Sequence, residues 1–225
     1  RGVIIQMDRN MGEIQVEGTE IQAAAGALLS SIAVAARRES LTGFEFAGGI
    51  PGTLGGAVVM NAGAYGGEIK DVLKEVTVMD GDGKIFTLPA SELEMGYRTS
   101  IIKTAGYLVL SARITLSRGK EEDIKARTRE LSEMRTQKQP LDYPSAGSTF
   151  KRPEGYFAGK LIMDSGLRGY SVGGAMVSEK HCGFVINKEN ATAKDVVDLI
   201  HDVQRIVYEK FQVQLETEVK FLGEF

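Results

Sequence analysis

The chain has 225 residues, of which 43% are hydrophobic, so it can bury a sizeable core as one large domain or two modest ones. Its 27 basic and 30 acidic side chains give a net charge near −3, and no basic stripe favours nucleic acid as a partner. The single cysteine, Cys182, excludes an internal disulfide, and no C-x-x-C or His-rich spacing offers a metal site. These features predict a cytoplasmic protein without a bound metal.

Strand and helix signals alternate through the first half of the chain. Strands are predicted over residues 2–7, 13–17, 72–79, 84–88 and 107–116. Small-residue stretches predict helices over residues 25–38 and 53–60. The small apolar run from residue 23 to residue 36 is too short to cross a bilayer, so no membrane insertion is predicted. Together these elements predict an α+β first half.

Residues 48–67 are the most unusual part of the sequence, because eight of the 27 glycines fall within these twenty positions. Glycine lets main-chain N–H groups approach a flat ring or a diphosphate, and it can turn several of them towards one anion. The segment lacks both G-x-G-x-x-G and G-x-x-x-x-G-K-[ST], the fingerprints of the commonest nucleotide folds. We interpret it as a flavin-contacting loop. The alternative is a buried turn that packs tightly against a helix.

The character of the chain changes in its second half. Residues 121–138 are dense in both charge signs with few apolar positions, which predicts a solvated helix and a domain boundary just before it. A short helix is predicted over residues 158–165. Thr192 and Asp195 match a capping box that begins a longer amphipathic helix. Residues 213–222 alternate like a strand.

Three short motifs contain candidate functional groups, although each one alone is weak. They are G-Y-R-T-S around Arg98, S-A-G-S-T-F around Ser148 and E-T-E-V-K-F around Glu218. Taken singly, such residues are ordinarily a surface cation, a turn cap and a solvent-facing carboxylate. Of the two histidines, we interpret His201 as a surface or packing residue, whereas His181 leaves ligand contact and plain turn structure equally open.

Six sequence blocks, taken in order, resemble one known family. They read AGGIPGTLGGAVVMNAGAYGGEIKD, MGYRTSIIK, PSAGSTFKRP, AGKLI, VSEKHCGFVIN and ETEVKFLG, and they span nearly the whole chain. Together they resemble the UDP-N-acetylenolpyruvoylglucosamine reductases (MurB, UDP-N-acetylmuramate dehydrogenases) of bacterial peptidoglycan synthesis. Six ordered blocks are far more specific than any single motif, so this resemblance carries the functional prediction.

The resemblance implies both a fold and a reaction. The fold is α+β, with a split FAD-binding domain of the PCMH (vanillyl-alcohol-oxidase-like) type over residues 1–119. A linker helix and a smaller α+β substrate-binding domain follow over residues 120–211, and residues 212–225 return as a strand to the FAD-binding domain. The activity is NADPH-dependent reduction of the enolpyruvyl ether of UDP-GlcNAc to UDP-N-acetylmuramate through bound FAD. Cell wall biogenesis, cell shape and cell division are the processes implied, and a monomer is favoured.

The resemblance also implies the site residues. Arg98, Ser148 and Glu218 match the family's catalytic residues. Arg98 would stabilise the enolate that forms after hydride reaches C3, Ser148 would protonate C2, and Glu218, if kept protonated by burial, would donate a hydrogen bond to the enol. Positions expected near the nucleotide sugar are Tyr97, Lys138, Arg152 and Lys160. Positions that match the flavin-contacting loop are Gly49, Ile50, Pro51, Gly52, Thr53, Gly55, Gly56, Asn61, Ala62 and Gly63.

The sequence departs from the family pattern in three respects. The family's first FAD segment has no counterpart before Arg1, so an upstream piece is expected to be missing. Arg152 replaces the asparagine of one branch, and residues 111–138 form a short stretch; both favour the branch with the shorter active-site lid. Glu216 would face the same side of a strand as Glu218 and competes with it for the carboxylate role.

Two other functions stay open from the sequence. The chain could be another FAD-dependent oxidoreductase of the same fold, although the pairing of the motifs around Arg98 and Ser148 argues against this. It could also be a non-catalytic remnant that binds a UDP-sugar. A yellow preparation would favour the enzymes, and a colourless one that still binds UDP-GlcNAc would favour the remnant.

Overall fold

The computed structural model describes residues 3–223. They divide into two compact units, which meet in the sequence between Met134 and Arg135. Each unit has its own hydrophobic cluster, one made of residues 21–116 and one of residues 150–215. The domain bounds predicted from the sequence, and the return of residues 212–225 to the first domain, stay predictions.

The first unit is built around antiparallel strands. They are β1 (Ile14–Glu17), β2 (Glu20–Ala24), β3 (Leu41–Thr42), β4 (Gly63–Ala64), β5 (Gly67–Glu68), β6 (Leu73–Met79), β7 (Ile85–Pro89), β8 (Leu108–Thr115) and β9 (Ser117–Arg118). Five of them form one sheet in the order β1-β2-β8-β6-β7. Buried side chains alternate along parts of its central strands, as at Val76 and Val78 of β6 and at Ala112 and Ile114 of β8, and register shifts between β6 and β8 interrupt the pattern. One face of the sheet therefore lies against the core.

Three helices bury side chains in that core, and a fourth, longer helix follows them. They are α1 (Leu29–Arg38), α2 (Leu54–Val59), α3 (Ile101–Ala105) and α4 (Glu121–Lys138), with 3₁₀ turns at Arg9–Met11, Ile69–Asp71 and Ala90–Glu92. Helix α4 has the bounds predicted from its charge pattern, and it crosses the division between the units. Its buried side chains, Ile124 and Leu131, lie seven positions apart on one face.

The second unit has a four-stranded antiparallel sheet and two helices. Its elements are β10 (Ser145–Ser148), α5 (Ala158–Asp164), β11 (Ser171–Val172), β12 (Ala175–Val177), β13 (Phe184–Asn187) and α6 (Ala193–Phe211). The strands lie in the order β10-β13-β12-β11. The predicted capping box begins α6, because the Thr192 hydroxyl accepts the Asp195 N–H at 3.1 Å and the Asp195 carboxylate accepts the Thr192 N–H at 2.9 Å.

Three predicted elements differ from the structure. The predicted first strand is not formed over residues 3–7, and residue 2 lies outside the described part. Helix α1 starts at Leu29 rather than Ala25, because the Ala25 N–H donates to the Leu110 carbonyl and continues the sheet. Residues 213–222 form no regular strand; Thr217 makes one bridge to Phe150, after which the chain bends. No helix among residues 3–223 has the length and hydropathy needed to cross a membrane.

Candidate active site

Half of the glycine segment is explained by packing inside the first unit. A methyl group added at any of four glycines would come within 3.0 Å or less of a neighbouring side chain. These glycines are Gly48 against Ala33, Gly55 against Ala25, Gly63 against Glu68 and Gly67 against Phe46. The tight-packing interpretation therefore holds for these positions. Gly55 also donates its N–H to the Ala25 carbonyl at 2.9 Å, which fixes the start of α2.

The other part of the segment is bare and exposed. A methyl group at Gly52 would meet nothing within 4 Å, and one at Gly56 would meet only the Thr53 hydroxyl at 4.0 Å. Gly49 and Pro51 are exposed as well. Leu28, which is 50% exposed, bridges Thr53 and places an apolar side chain at the edge of this bare main chain. Exposed backbone beside an apolar side chain suits a planar, partly apolar ring, so the residues present fit a flavin.

Three more predicted flavin positions have less access. Ile50 and Ala62 are half-buried and pack against the first core. Asn61 is fully buried, with a left-handed φ of 42°. Its side-chain amide donates to the Glu68 carboxylate at 3.0 Å and to the Gly96 carbonyl at 3.1 Å, and its oxygen accepts the Lys70 N–H at 3.0 Å. These bonds occupy the side chain, so the structure shows Asn61 holding the glycine segment against residue 96.

Replacing Asn61 with alanine is expected to destabilise the protein by about 3 kcal/mol, because three polar groups would together lose a buried hydrogen-bonding partner. Asn190 is a matched control, since it also has a left-handed φ, of 50°, but is exposed. Urea unfolding of Asn61→Ala and Asn190→Ala measures the difference. Equal losses of unfolding free energy in the two variants would show that the buried hydrogen bonds contribute little.

Arg98 lies in a tight turn that Asn61 holds in place. Gly96 and Thr99 exchange two main-chain hydrogen bonds, of 3.1 and 3.3 Å, around Tyr97 and Arg98. Arg98 has a φ of 57°, a left-handed conformation that favours glycine and costs a non-glycine residue energy. The structure thus brings the Arg98 motif and the glycine segment together, although they are far apart in sequence.

The side chains around this turn carry charge. The Arg98 guanidinium lies 5.1 Å from the centre of the Tyr97 ring, and Tyr97 is 52% exposed. Glu68 accepts a hydrogen bond from Lys70 at 2.7 Å, and this bond, together with Asn61 and the charge of Arg98, lowers the pKa of Glu68. Glu68 is therefore an anion, and it lies close enough to Arg98 for the two charges to interact. No sequence motif singled out Glu68, although it lies within the first family block.

Ser148 lies at the end of β10 in the second unit. It pairs with Phe184 in β13, and its hydroxyl is exposed. The hydroxyl donates a long hydrogen bond, of 3.5 Å, to the Phe150 carbonyl. The next residue, Thr149, anchors the strand end, because its hydroxyl accepts the Val185 N–H at 3.0 Å.

Glu218 is brought next to this strand end. Its N–H donates to the Thr149 carbonyl at 2.9 Å, and its side chain is half-buried. Glu216, the competing carboxylate, pairs with Lys151 at 2.6 Å, and its side chain is 71% exposed. The two glutamates flank Thr217, and Glu218 is the less exposed of the two. This geometry favours Glu218 over Glu216.

The predicted substrate residues of the second unit are exposed. The Arg152 guanidinium stacks 4.0 Å from the centre of the Phe157 ring and donates to the Tyr156 carbonyl at 3.3 Å. Lys160 pairs with Asp164 at 2.7 Å, and Lys138 ends α4. Their roles, like those of all the predicted site residues, stay predictions. Within residues 3–223 no group of three His, Cys, Asp or Glu side chains is placed to hold a metal ion.

Comparisons with known proteins cover the whole chain. Residues 1–89 match an FAD binding domain, and residues 139–222 match the C-terminal domain of UDP-N-acetylenolpyruvoylglucosamine reductase. The UDP-N-acetylenolpyruvoylglucosamine reductase of Lachnoclostridium phytofermentans is 60% identical over 228 residues, which cover 100% of this chain and 74% of the relative. The chain belongs to this reductase family.

Other members of the reductase family agree. The one from Clostridioides difficile is 54% identical, over 100% of this chain and 74% of its own length. The crystal structure of the reductase (MurB) from Thermus caldophilus superposes with a TM-score of 0.83 at 37% identity, covering 94% of this chain and 74% of that one. The predicted family and the predicted α+β fold with an FAD-binding domain are confirmed.

Proposed function

We propose that this chain reduces the enolpyruvyl ether of UDP-GlcNAc-enolpyruvate to UDP-N-acetylmuramate, with FAD as cofactor and NADPH as reductant. One observation carries the proposal: a reductase named for this substrate is 60% identical along the full length of the chain. The reaction belongs to peptidoglycan precursor synthesis, and hence to cell wall biogenesis, cell shape and cell division. A cytoplasmic, monomeric enzyme is expected, and the single cysteine suits a reducing compartment.

The residues that would hold FAD are those with bare main chain in the glycine segment, from Gly49 to Gly56, with Leu28 beside them. When bound, FAD supplies hydride transfer, from NADPH and then to C3 of the enolpyruvyl group. The packed glycines support this segment, since they let it lie close to neighbouring side chains of the first unit. Gly55 shows this, because its contact with Ala25 leaves no room for a side chain.

The chain's own residues stabilise the negative charge that develops on the substrate and supply the proton that C2 receives. Arg98 places a cation where negative charge develops at C2 and the carboxylate, and such a fixed charge in a dry site is worth about 3 kcal/mol. Ser148 gives its hydroxyl proton to C2. Glu218, held next to Ser148 by its bond to Thr149, acts on the same enol. Tyr97, Lys138, Arg152 and Lys160 bind the nucleotide sugar.

The test uses the purified chain with FAD. A flavin absorbance spectrum is expected, with continuous NADPH oxidation, beyond the one equivalent that reduces the flavin, only when UDP-GlcNAc-enolpyruvate is present. Mass spectrometry should show a product that is heavier than the substrate by two hydrogen atoms. Flavin-loaded protein that leaves the substrate unchanged would contradict the proposal. Colourless protein that binds UDP-GlcNAc would instead support the non-catalytic remnant.

A further inference from the structure

His181 lies beside Ser148, and the proposed mechanism does not use it. Ser148 pairs with Phe184 at the start of β13, and His181 lies in the turn that leads into that strand. A methyl group on Gly183 would come within 2.9 Å of the His181 Cε1 and within 3.6 Å of the Ser148 hydroxyl oxygen. The two side chains therefore flank the same glycine.

The imidazole is held in one orientation. Its Nδ1 accepts the Gly183 N–H at 3.1 Å, and its ring meets the Phe184 ring edge-on, with centroids 5.0 Å apart. The turn itself is fixed, because the buried Ser178 hydroxyl accepts the N–H groups of Lys180 and His181 at 3.2 and 3.3 Å. An Nδ1 that accepts a hydrogen bond carries no proton, so the neutral ring carries its proton on Nε2.

The surroundings leave space for this ring and keep it neutral. Gly159, in the first turn of α5, lies near the same edge of the imidazole as Gly183, and a methyl group there would come within 3.2 Å of Cε1. Loss of hydration lowers the pKa of His181 below its ordinary value, so the ring is uncharged at neutral pH. The side chain still reaches solvent, on the exposed side where Ser148 also lies.

Ser148 needs such a neighbour. A serine hydroxyl is a poor acid, and once it has given up its proton the alkoxide must be stabilised. Its described hydrogen bond to Phe150 is long, at 3.5 Å, and uses the hydroxyl hydrogen rather than the lone pairs of the oxygen. A neutral imidazole that donates from Nε2 can stabilise negative charge without competing for the proton that Ser148 delivers.

We propose that His181 is a positioning residue for Ser148: its Nε2–H donates, directly or through one water, to the Ser148 oxygen. This role rests on the reductase activity proposed above. In the step concerned, the Ser148 O–H bond breaks and a C2–H bond forms. The electron pair of the O–H bond stays on the serine oxygen. The hydrogen bond from Nε2–H stabilises this alkoxide until water returns a proton.

Two variants separate this role from a structural one. Asparagine at position 181 keeps an acceptor for the Gly183 N–H but removes the distal donor, whereas glutamine places an amide N–H near the position of Nε2. His181→Asn is expected to slow reoxidation of the reduced flavin by UDP-GlcNAc-enolpyruvate by about tenfold or more, since a single well-placed donor has effects of this size. Reduction by NADPH should be unchanged, and His181→Gln should recover part of the loss.

Two further measurements distinguish the positioning role of His181 from a merely structural one. The solvent deuterium isotope effect on reoxidation should increase in His181→Asn, because proton delivery from Ser148 becomes slower. Long-range ¹H–¹⁵N NMR of the wild-type protein without substrate should show a protonated Nε2 and a bare Nδ1. His201→Asn serves as the control, since His201 is exposed on α6.

The outcomes are distinct. Reoxidation in His181→Asn at the wild-type rate, or an Nδ1–H tautomer by NMR, would overturn the role of His181 while leaving the proposed function intact. A wild-type protein that does not reoxidise with the enolpyruvyl substrate would overturn the proposed function and this role with it. Slower reoxidation in His181→Asn with a raised isotope effect, together with the Nε2–H tautomer in the wild-type protein, supports the role of His181.

Discussion

Replacing Ser148 with alanine is expected to slow reoxidation of the reduced flavin by the enolpyruvyl substrate by about 10² to 10⁴-fold, the usual contribution of positioned proton transfer. Reduction of the flavin by NADPH should keep its rate, because no proton passes through Ser148 in that half-reaction. The change should cost little stability, since the side chain is exposed and makes only a long hydrogen bond to Phe150. A loss of rate would therefore be chemical rather than structural.

Stopped-flow absorbance of the two half-reactions measures this separately. Ser145→Ala is the matched control, because Ser145 begins the same strand and is also exposed. Its hydroxyl accepts the Gly147 N–H at 3.4 Å, so its removal tests a comparable local loss. An unchanged second half-reaction in Ser148→Ala would remove this serine from the mechanism, and an equal slowing in Ser145→Ala would point to damage of β10 instead.

Arg98→Gly is expected to combine a large loss of activity with a gain in stability over Arg98→Ala. Both variants remove the cation, and reoxidation by the enolpyruvyl substrate should fall by about 10² to 10³-fold in each, as for loss of one electrostatic donor. Only glycine accepts the left-handed φ of 57° without strain. The glycine variant should therefore be more stable than the alanine variant by about 1 kcal/mol.

Urea unfolding compares the two variants, and stopped-flow absorbance gives their half-reactions. Arg98→Lys is the control for charge, since it keeps the cation in the same turn but not the planar guanidinium. Equal stability of the glycine and alanine variants would show that the turn is not strained at this position. Wild-type reoxidation in both would exclude Arg98 as the partner of the developing charge.

The sequence predicted the fold well where its signals are local. The charge pattern of α4 and the capping box at Thr192 depend on residues within a few positions, and both appear as predicted. Residues 213–222 alternate in hydrophobicity, yet a regular strand needs a partner along its length. In the second unit only Thr217 pairs, with Phe150, and the chain bends directly afterwards. Alternation alone could not reveal that.

The sequence motifs identified candidate site residues, but they said much less about which of these residues contact one another. The glycine count did not separate Gly55, which packs on Ala25, from Gly52, which faces open space. The hydrogen bond from Asn61 to Gly96 joins residues 35 positions apart, and nothing in their spacing predicts it. The sequence alone does not decide between ligand contact and turn structure for His181, because its closeness to Ser148 depends on the pairing of β10 with β13. Long-range contacts, rather than local propensity, decided each of these cases.

The attachment of residues 212–223 has a consequence for the conditions under which the protein works. The buried Leu215 anchors this segment and accepts a hydrogen bond from the Gln204 side chain, and main-chain bonds join Glu216 to Lys151 and Glu218 to Thr149. The described residues after Leu215 are half-buried or exposed and form no regular strand, and such a segment opens at a lower free energy than a sheet interior. Gentle warming should then carry Glu218 away from Ser148 while both cores remain intact. Loss of this attachment, rather than unfolding of either core, would then set the upper temperature for catalytic turnover. That temperature should lie well below the melting temperature of the protein.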